Sequence, residues 1–515
     1  MSHPQYYQNT LEPVPIDKIH LESALNQLQV AVHRGADLVQ HGVPPPTEWD
    51  IAGVYYGITG VALAFLRLAH QATALTDENT PLSMGFHQLA KDRILPHGPD
   101  LPVRADRLSP SGSPTPLAGV VPRILEAGAV GGTISSDDVK VLRETVNLAL
   151  QNAHLVPHGE HMMGADEPLY GRAGLLLTLV NIRAHSFDQE AQAWLDPIFD
   201  SIPLLVDAII TSGREGHRHY IQRHDAKDAP PLMWSWMEGY YGLGAVHGMC
   251  GILAALLACR PEEVNDSPAR NYLPWIAGTI SALCKICVDN NGHLPMSIPS
   301  RPASSNRESP LVQMCHGSPG ILLLMADVMR NKYLIADYWE PRWEDAIRLS
   351  SDRIWEQGLL SKGGGLCHGI TGNAWPLLYA HDALEYEAEA IQSAKSKYMK
   401  RSQTNGGEIT GLTSDILLSR GLALMLHARE TPPYRASPKS TSNIYRMPDR
   451  PFGLTEGLSG TICAWAETCI VIQSRLRKME LDDKRPFQDD AAFQKLQHLM
   501  LGFPSVAYHR PTGMF

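Results

Sequence analysis

One short pattern, Gly-x-x-Gly opening an apolar run, recurs along the 515-residue chain and constrains its fold more than any other feature. It appears at Gly57–Gly60 before VALAFLRLA, at Gly171–Gly174 before LLLTLVNI and at Gly248–Gly251 before ILAALLA. Further copies are Gly317–Gly320 before ILLLMADVM, Gly369–Gly372 before NAWPLLYA and Gly457–Gly460 before TICAWAET. A degenerate copy, Gly112-Ser-Pro-Thr115, precedes PLAGVV. The seven copies start 52 to 88 residues apart, room for two helices and their connections each time. Glycine ahead of a helix lets backbones approach closely and leaves the first N–H groups accessible. Runs such as GILAALLA are apolar all round, as a buried inner helix must be. The charged, amphipathic stretches Ser136–Asn152 and Arg342–Glu356 suit an outer layer. The expected fold is all-α: a double-layered α/α toroid of seven helical hairpins, forming a single domain over 1–515. A short N-terminal arm (about 1–15) precedes it, and the Pro- and Ser-rich stretches near 298–310 and 431–451 read as surface insertions.

Composition narrows the function classes. Hydrophobic residues are 44% and charged residues 19%, enough to fill a large core and too apolar for disorder. A net charge of −10 argues against nucleic acid or an anionic membrane as the main partner. The longest apolar run, Gly251–Cys259, falls well short of the roughly 20 residues of a membrane span. The start, MSHPQYYQNT, lacks the basic and apolar regions of a secretory signal, and it carries Ser2 where myristoylation needs glycine. Eight cysteines in so long a chain do not read as a disulfide scaffold. A reducing, cytoplasmic setting is expected, with peripheral membrane association left open.

Three of the seven repeats carry a metal-ligand residue just before the first glycine: His247-Gly248, Cys315-His316-Gly317 and Cys367-His368-Gly369. Equivalent hairpins would bring these loops to one end of the inner ring. Thiolate and imidazole at equivalent repeat ends point to zinc. Five residues (His247, Cys315, His316, Cys367 and His368) compete for three or four ligand places, and spacing alone does not choose among them. Cys284-Lys-Ile-Cys287 lies inside an apolar helical run with no second ligand pair, and Cys250, Cys259, Cys463 and Cys469 read as small core residues. Asp166 and Glu456, shortly before Gly171 and Gly457, are expected to cap the helices that follow. Orienting His247 or closing the pocket is their alternative role.

The segments YGRAG (170–174), GAVHGMCGI (244–252), LVQMCHGSPG (311–320), KGGGLCHGITGNAW (362–375) and FGLTEGLSGT (452–461) together resemble the lanthionine synthetase C (LanC) family. The likeness is greatest to its eukaryotic LanC-like branch and runs in order along nearly the whole chain. It implies the seven-hairpin toroid reached above from the repeats. It also implies one zinc ion held by Cys315, Cys367 and His368, with His316 a neighbour. His247 matches the family's proton-transferring histidine, and Lys362 the lysine that contacts glutathione in some members. Met314 stands where the family usually has tryptophan. Gly364 stands where its Lys-Gly-Tyr-Gly run has tyrosine, so an aromatic wall of the pocket is expected to be missing. A glutathione-binding N-terminal arginine of some members has no clear match, with Gln5 and Tyr6 nearby.

The implied activity is zinc-dependent thioether formation, with glutathione adding to dehydroalanine or dehydrobutyrine in peptides or proteins. A free thiol, with a pKa of about 8.5, is largely protonated at neutral pH and needs activation. Histidine, with a pKa near 6.5, can return the proton that completes the addition. The competing reading is a non-catalytic module that binds zinc and glutathione and reports to a partner. Glycosidases of toroid shape need two carboxylates at the mouth, where this chain has Cys and His.

Overall fold

The computed structural model describes residues 3–76, 85–224, 229–299, 309–402, 412–435, 444–481 and 486–504. Each full Gly-x-x-Gly copy opens a buried helix, and its first glycine is the N-cap. The inner helices are Ile58–Gln71, Leu117–Val130, Arg172–Arg183, Met249–Leu257, Ser318–Arg330, Ile370–Tyr386 and Leu458–Glu480. The degenerate copy behaves accordingly, its helix starting at Leu117 after Pro116. Each inner helix packs on the next, and Leu458–Glu480 packs back on Ile58–Gln71, so the ring closes. Outer helices cover it: Lys18–Gly42 lies on Leu458–Glu480, Pro341–Gln357 on Ser318–Arg330, and Ser414–His427 on Ile370–Tyr386. The fold is the all-α toroid. One large apolar cluster runs from Leu21 to Phe503. Among the described residues no helix is long and apolar enough to cross a membrane.

The second glycine of the repeat has its own reason. At five of the inner helices the preceding chain doubles back, laying a carbonyl from six residues upstream against that glycine, whereas Gly320 abuts Ala245 of another repeat. A Cβ at Gly372 would stand 1.7 Å from the Leu366 carbonyl oxygen, and one at Gly251 1.8 Å from that of Ala245. Leu366 immediately precedes Cys367, and Ala245 precedes His247 by two. The glycines therefore seat the loops that carry the candidate chemistry.

Short strand pieces, which helical periodicity does not announce, shape the same loops. Val312–Gln313 pairs antiparallel with His316–Gly317, leaving Met314 and Cys315 as the two-residue turn. Gly317 takes a φ of +123° and its Cβ would meet the Leu311 carbonyl at 2.0 Å, so this tight return requires glycine. Tyr241–Gly242 pairs with Ser297–Ile298 on the approach to His247. Leu155–His158 pairs with His161–Gly164 on the approach to residues 165–171.

The arm and the expected insertions are more engaged than their composition indicates. Tyr6 bridges Leu360, and the Ser361 N–H donates to the Gln5 carbonyl, placing the arm beside Lys362. Of the 431–451 stretch, residues 436–443 lie outside the described residues. Its two ends are anchored at single points: Thr431 and Tyr445 are buried and the Arg446 N–H donates to the Ser361 carbonyl, while Ile444 and Met447 stay exposed. Apolar and aromatic side chains among the prolines give these ends an interior to join. Most of 298–310, namely 300–308, also lies outside the described residues.

Candidate active site and metal centre

The mouth loops are tied to one another by main-chain bonds. The Cys315 N–H donates to the Cys367 carbonyl at 3.2 Å, and the Leu366 and Cys367 N–H groups donate to the Thr455 carbonyl at 2.7 and 2.8 Å. The Thr455 hydroxyl donates to the Tyr55 carbonyl at 2.8 Å. Four repeats thus share one scaffold, on which side chains far apart in sequence converge.

Cys315, Cys367 and His368 come together there, their ligand atoms all within 4.8 Å of one another. The two thiols are coupled. A hydrogen bond from Cys367, followed by one from His368, holds the Cys315 thiol well below its usual range in spite of burial. The same bond and burial push Cys367 up. Two sulfurs and an imidazole on interlocked loops fit zinc, a borderline-soft ion with tetrahedral preference. Three protein ligands would leave it one open position. The Gln313 amide donates to Cys315 Sγ at 3.0 Å, an outer contact that orients a ligand atom.

His247 lies beside this cluster, with Nδ1 2.5 Å from Glu167 Oε1. The other Glu167 oxygen accepts from the Tyr170 N–H at 2.8 Å, so the carboxylate is itself held. Burial works against the His247 imidazolium. The Glu167 carboxylate and the Cys315 thiolate outweigh it, and the pKa stands above the ordinary histidine value. His316 stacks on His247, with ring centroids 5.1 Å apart and planes 23° apart, and does not join the ligand cluster. Trp236 packs against both rings, at 5.3 Å from each.

A match to the family model described as "Lanthionine synthetase C-like protein" covers residues 135–424, more than half of the chain. The chain belongs to this LanC-like family. Glutathione S-transferase LANCL1 of Danio rerio is 28% identical to this LanC-like protein over 323 residues. That match takes in 62% of each chain, so the likeness spans less than two thirds of the relative's length.

Several residues of this LanC-like site depart from the expectations. Asp166 neither caps its helix nor meets His247. Its neighbour Glu167 meets the histidine, while Asp166 turns into a buried pair with Arg172 at 2.6 Å and accepts from Ser212. Glu456 does not cap either, because the N-cap places are occupied by Gly171 and Gly457, with no side-chain cap bond at either helix. Instead Glu456 stands 3.8 Å from His368 Nε2. Burial pushes its carboxyl up, while His368 and Lys362 draw it down.

Lys362 is exposed, within electrostatic reach of Cys367 and Glu456, and the segment just before it carries the arm residues Gln5 and Tyr6. The space at Gly364 is not an open gap. A Cβ there would lie 2.6 Å from Thr431 Oγ1, so the folded-back 431 segment takes the place of a side chain. Trp236 supplies an aromatic wall from another loop. Tyr56 adds a half-exposed phenol whose pKa is pushed to about 12 by burial, then by Glu456 and Cys367. Sequence reasoning missed Glu167, Trp236, Tyr56 and Gln313. Each lies one to a few residues from a noticed motif or at no motif at all.

Proposed function

We propose that this LanC-like protein is a zinc-dependent thioether-forming enzyme that adds a thiol, glutathione in the first instance, to dehydroalanine or dehydrobutyrine residues of peptides or proteins. The observation that carries the proposal is the juxtaposition of a two-thiol, one-imidazole cluster with a carboxylate-anchored histidine. Zinc, when bound, supplies the positive charge that keeps a substrate thiol deprotonated at neutral pH. Cys315, Cys367 and His368 would hold it, with Gln313 orienting Cys315 and Glu456 beside His368.

The remaining steps fall to this chain's own residues. Attack of the thiolate on the β-carbon of the alkene forms the C–S bond and leaves an enolate at the α-carbon. His247, kept protonated by Glu167 at Nδ1, delivers a proton to that carbon from Nε2 and becomes neutral. Glu167 thereby positions the ring as well as charging it. Trp236 and His316 flank the imidazole and limit its rotation. Lys362, with Gln5 and Tyr6 alongside, offers a cation and polar groups for a glutathione carboxylate. The relative named a glutathione S-transferase supports that choice of thiol.

The test is mass spectrometry of a dehydroalanine peptide incubated with glutathione. A mass gain of one glutathione, faster than background and lost in Cys367→Ala and His247→Ala, is expected. If zinc-loaded protein binds glutathione without accelerating the addition, the enzyme reading fails and the binding module replaces it.

A further inference from the structure

A second cluster of metal-ligating side chains lies on the helix Ile202–His224 and the segment just before the Leu155–His158 strand. Glu215 and His219 are one helical turn apart, so their side chains share a face. His154 approaches from the other segment, with Nδ1 3.4 Å from Glu215 Oε2 and its ring edge-on to His219 at 5.0 Å between centroids. One ligand atom from each of the three lies within 4.8 Å of the others.

This placement is built by buried structure and is not a chance meeting of mobile surface groups. Arg172 donates to the Asn152 and Ala153 carbonyls, at 3.2 and 3.4 Å, fixing the backbone that leads into His154. The His154 carbonyl accepts from the Ala165 N–H at 3.0 Å. Arg172 is paired with buried Asp166, which also accepts from Ser212, one turn before Glu215 on the helix. A single buried network therefore sets both halves of the cluster, as a preorganised site requires.

We propose that His154, Glu215 and His219 form a second transition-metal site, of zinc class, distinct from the Cys315–Cys367–His368 cluster. Two imidazoles and one carboxylate are borderline-to-hard ligands that suit Zn2+, Co2+, Ni2+ and Cu2+ and lack the sulfur of the first cluster. Glu215 is partly exposed and His219 exposed, so the remaining coordination positions go to water and the affinity is the lower of the two. Binding there clips the segment that leads to Glu167 onto the outer helix. It stabilises the folded chain by mass action, with no part in the thiol chemistry.

Untagged full-length protein, stripped by chelator and dialysed against Zn2+ or Co2+, tests this. Wild-type protein is expected to bind two equivalents, with a Co2+ spectrum showing both an intense sulfur charge-transfer band and weaker visible bands. Glu215→Ala/His219→Ala should bind one equivalent, retain the sulfur band and lose the zinc-dependent rise in Tm assigned to the second site. Cys367→Ala should keep one equivalent without the sulfur band. Because Glu215 and His219 lie at the surface, the double variant is expected to fold, and circular dichroism checks it. Retention of full metal content and of the Tm rise in that double variant overturns the proposal, as does a folded Cys367→Ala protein that binds none. A wild type with a single, sulfur-free equivalent lost in the double variant would uphold this site and sink the zinc-thiol reading.

Discussion

The two ends of the inner ring differ in kind. At the mouth, glycine-rich loops ahead of several inner helices carry the thiols, imidazoles and carboxylates of the candidate site. At the opposite end two of the inner helices finish in Arg183 and Arg330. There Arg183 pairs with Glu263, and Arg330 stacks over the Tyr379 ring at 3.8 Å and donates to its carbonyl at 2.9 Å. Helix N-termini favour anions and C-termini favour cations, and these two arginines follow that rule. One buried acid from each end shows two different outcomes. Cys315 is drawn down by its hydrogen bond from Cys367, while burial pushes Asp327 up to about 7. Hydrogen bonds to the anion win at Cys315, and burial wins at Asp327.

The sharpest test of that contrast removes a thiol. Cys367→Ala should lower zinc affinity at the first cluster by at least roughly a hundredfold, more than loss of an outer contact costs. Equilibrium dialysis with metal analysis reads this directly. Gly372→Ala comes next, since its Cβ would strike the Leu366 carbonyl that seats the Cys367 loop. A loss of about 3 kcal/mol in denaturant unfolding is expected. A neutral result would show that the loop can shift.

At the far end, Asp327 makes stability pH-dependent, and the sign follows from proton counting. Its folded pKa of about 7 lies above the unfolded value, so the native state binds the proton more tightly. Stability contributed by this group is full at low pH and falls as pH rises from about 4 to 7. Asp327→Asn should therefore gain on the wild type by about 2 kcal/mol between pH 5 and 8 in urea titrations. Parallel curves would disprove the assigned shift.

Glu167→Gln removes the carboxylate that holds the His247 pKa up. Roughly tenfold lower activity is expected, with the basic limb of the rate profile moved to lower pH. An unmoved limb would take proton delivery away from His247. The smallest effect belongs to Lys362→Ala. An exposed charge contributes about 1 kcal/mol, so KM for glutathione should rise about fivefold with kcat little changed.

Much of this architecture was legible because its causes are local. Gly-x-x-Gly before an apolar run reports a close backbone approach and a buried helix, and the seven copies opened or preceded seven inner helices. The Cys-His-Gly tripeptides were visible for the same reason, since equivalent repeats place equivalent loops together. Which acid meets His247 was not legible. Asp166 and Glu167 are adjacent and chemically alike, and the backbone path around the 165–171 turn sends one toward Arg172 and the other into the pocket.

The sequence by itself determined the helical period, the number of inner helices, the order of the loops around the ring and the residue types at its mouth. All of these follow from interactions within a few residues or from repetition. Only the tertiary structure decided that Trp236 packs against His247, that Thr431 abuts Gly364 and that the N-terminal arm lies beside Lys362. It also decided that His154 meets a helix turn some sixty residues later. Those contacts join segments with no shared period, and ring closure together with the packing of buried side chains sets them.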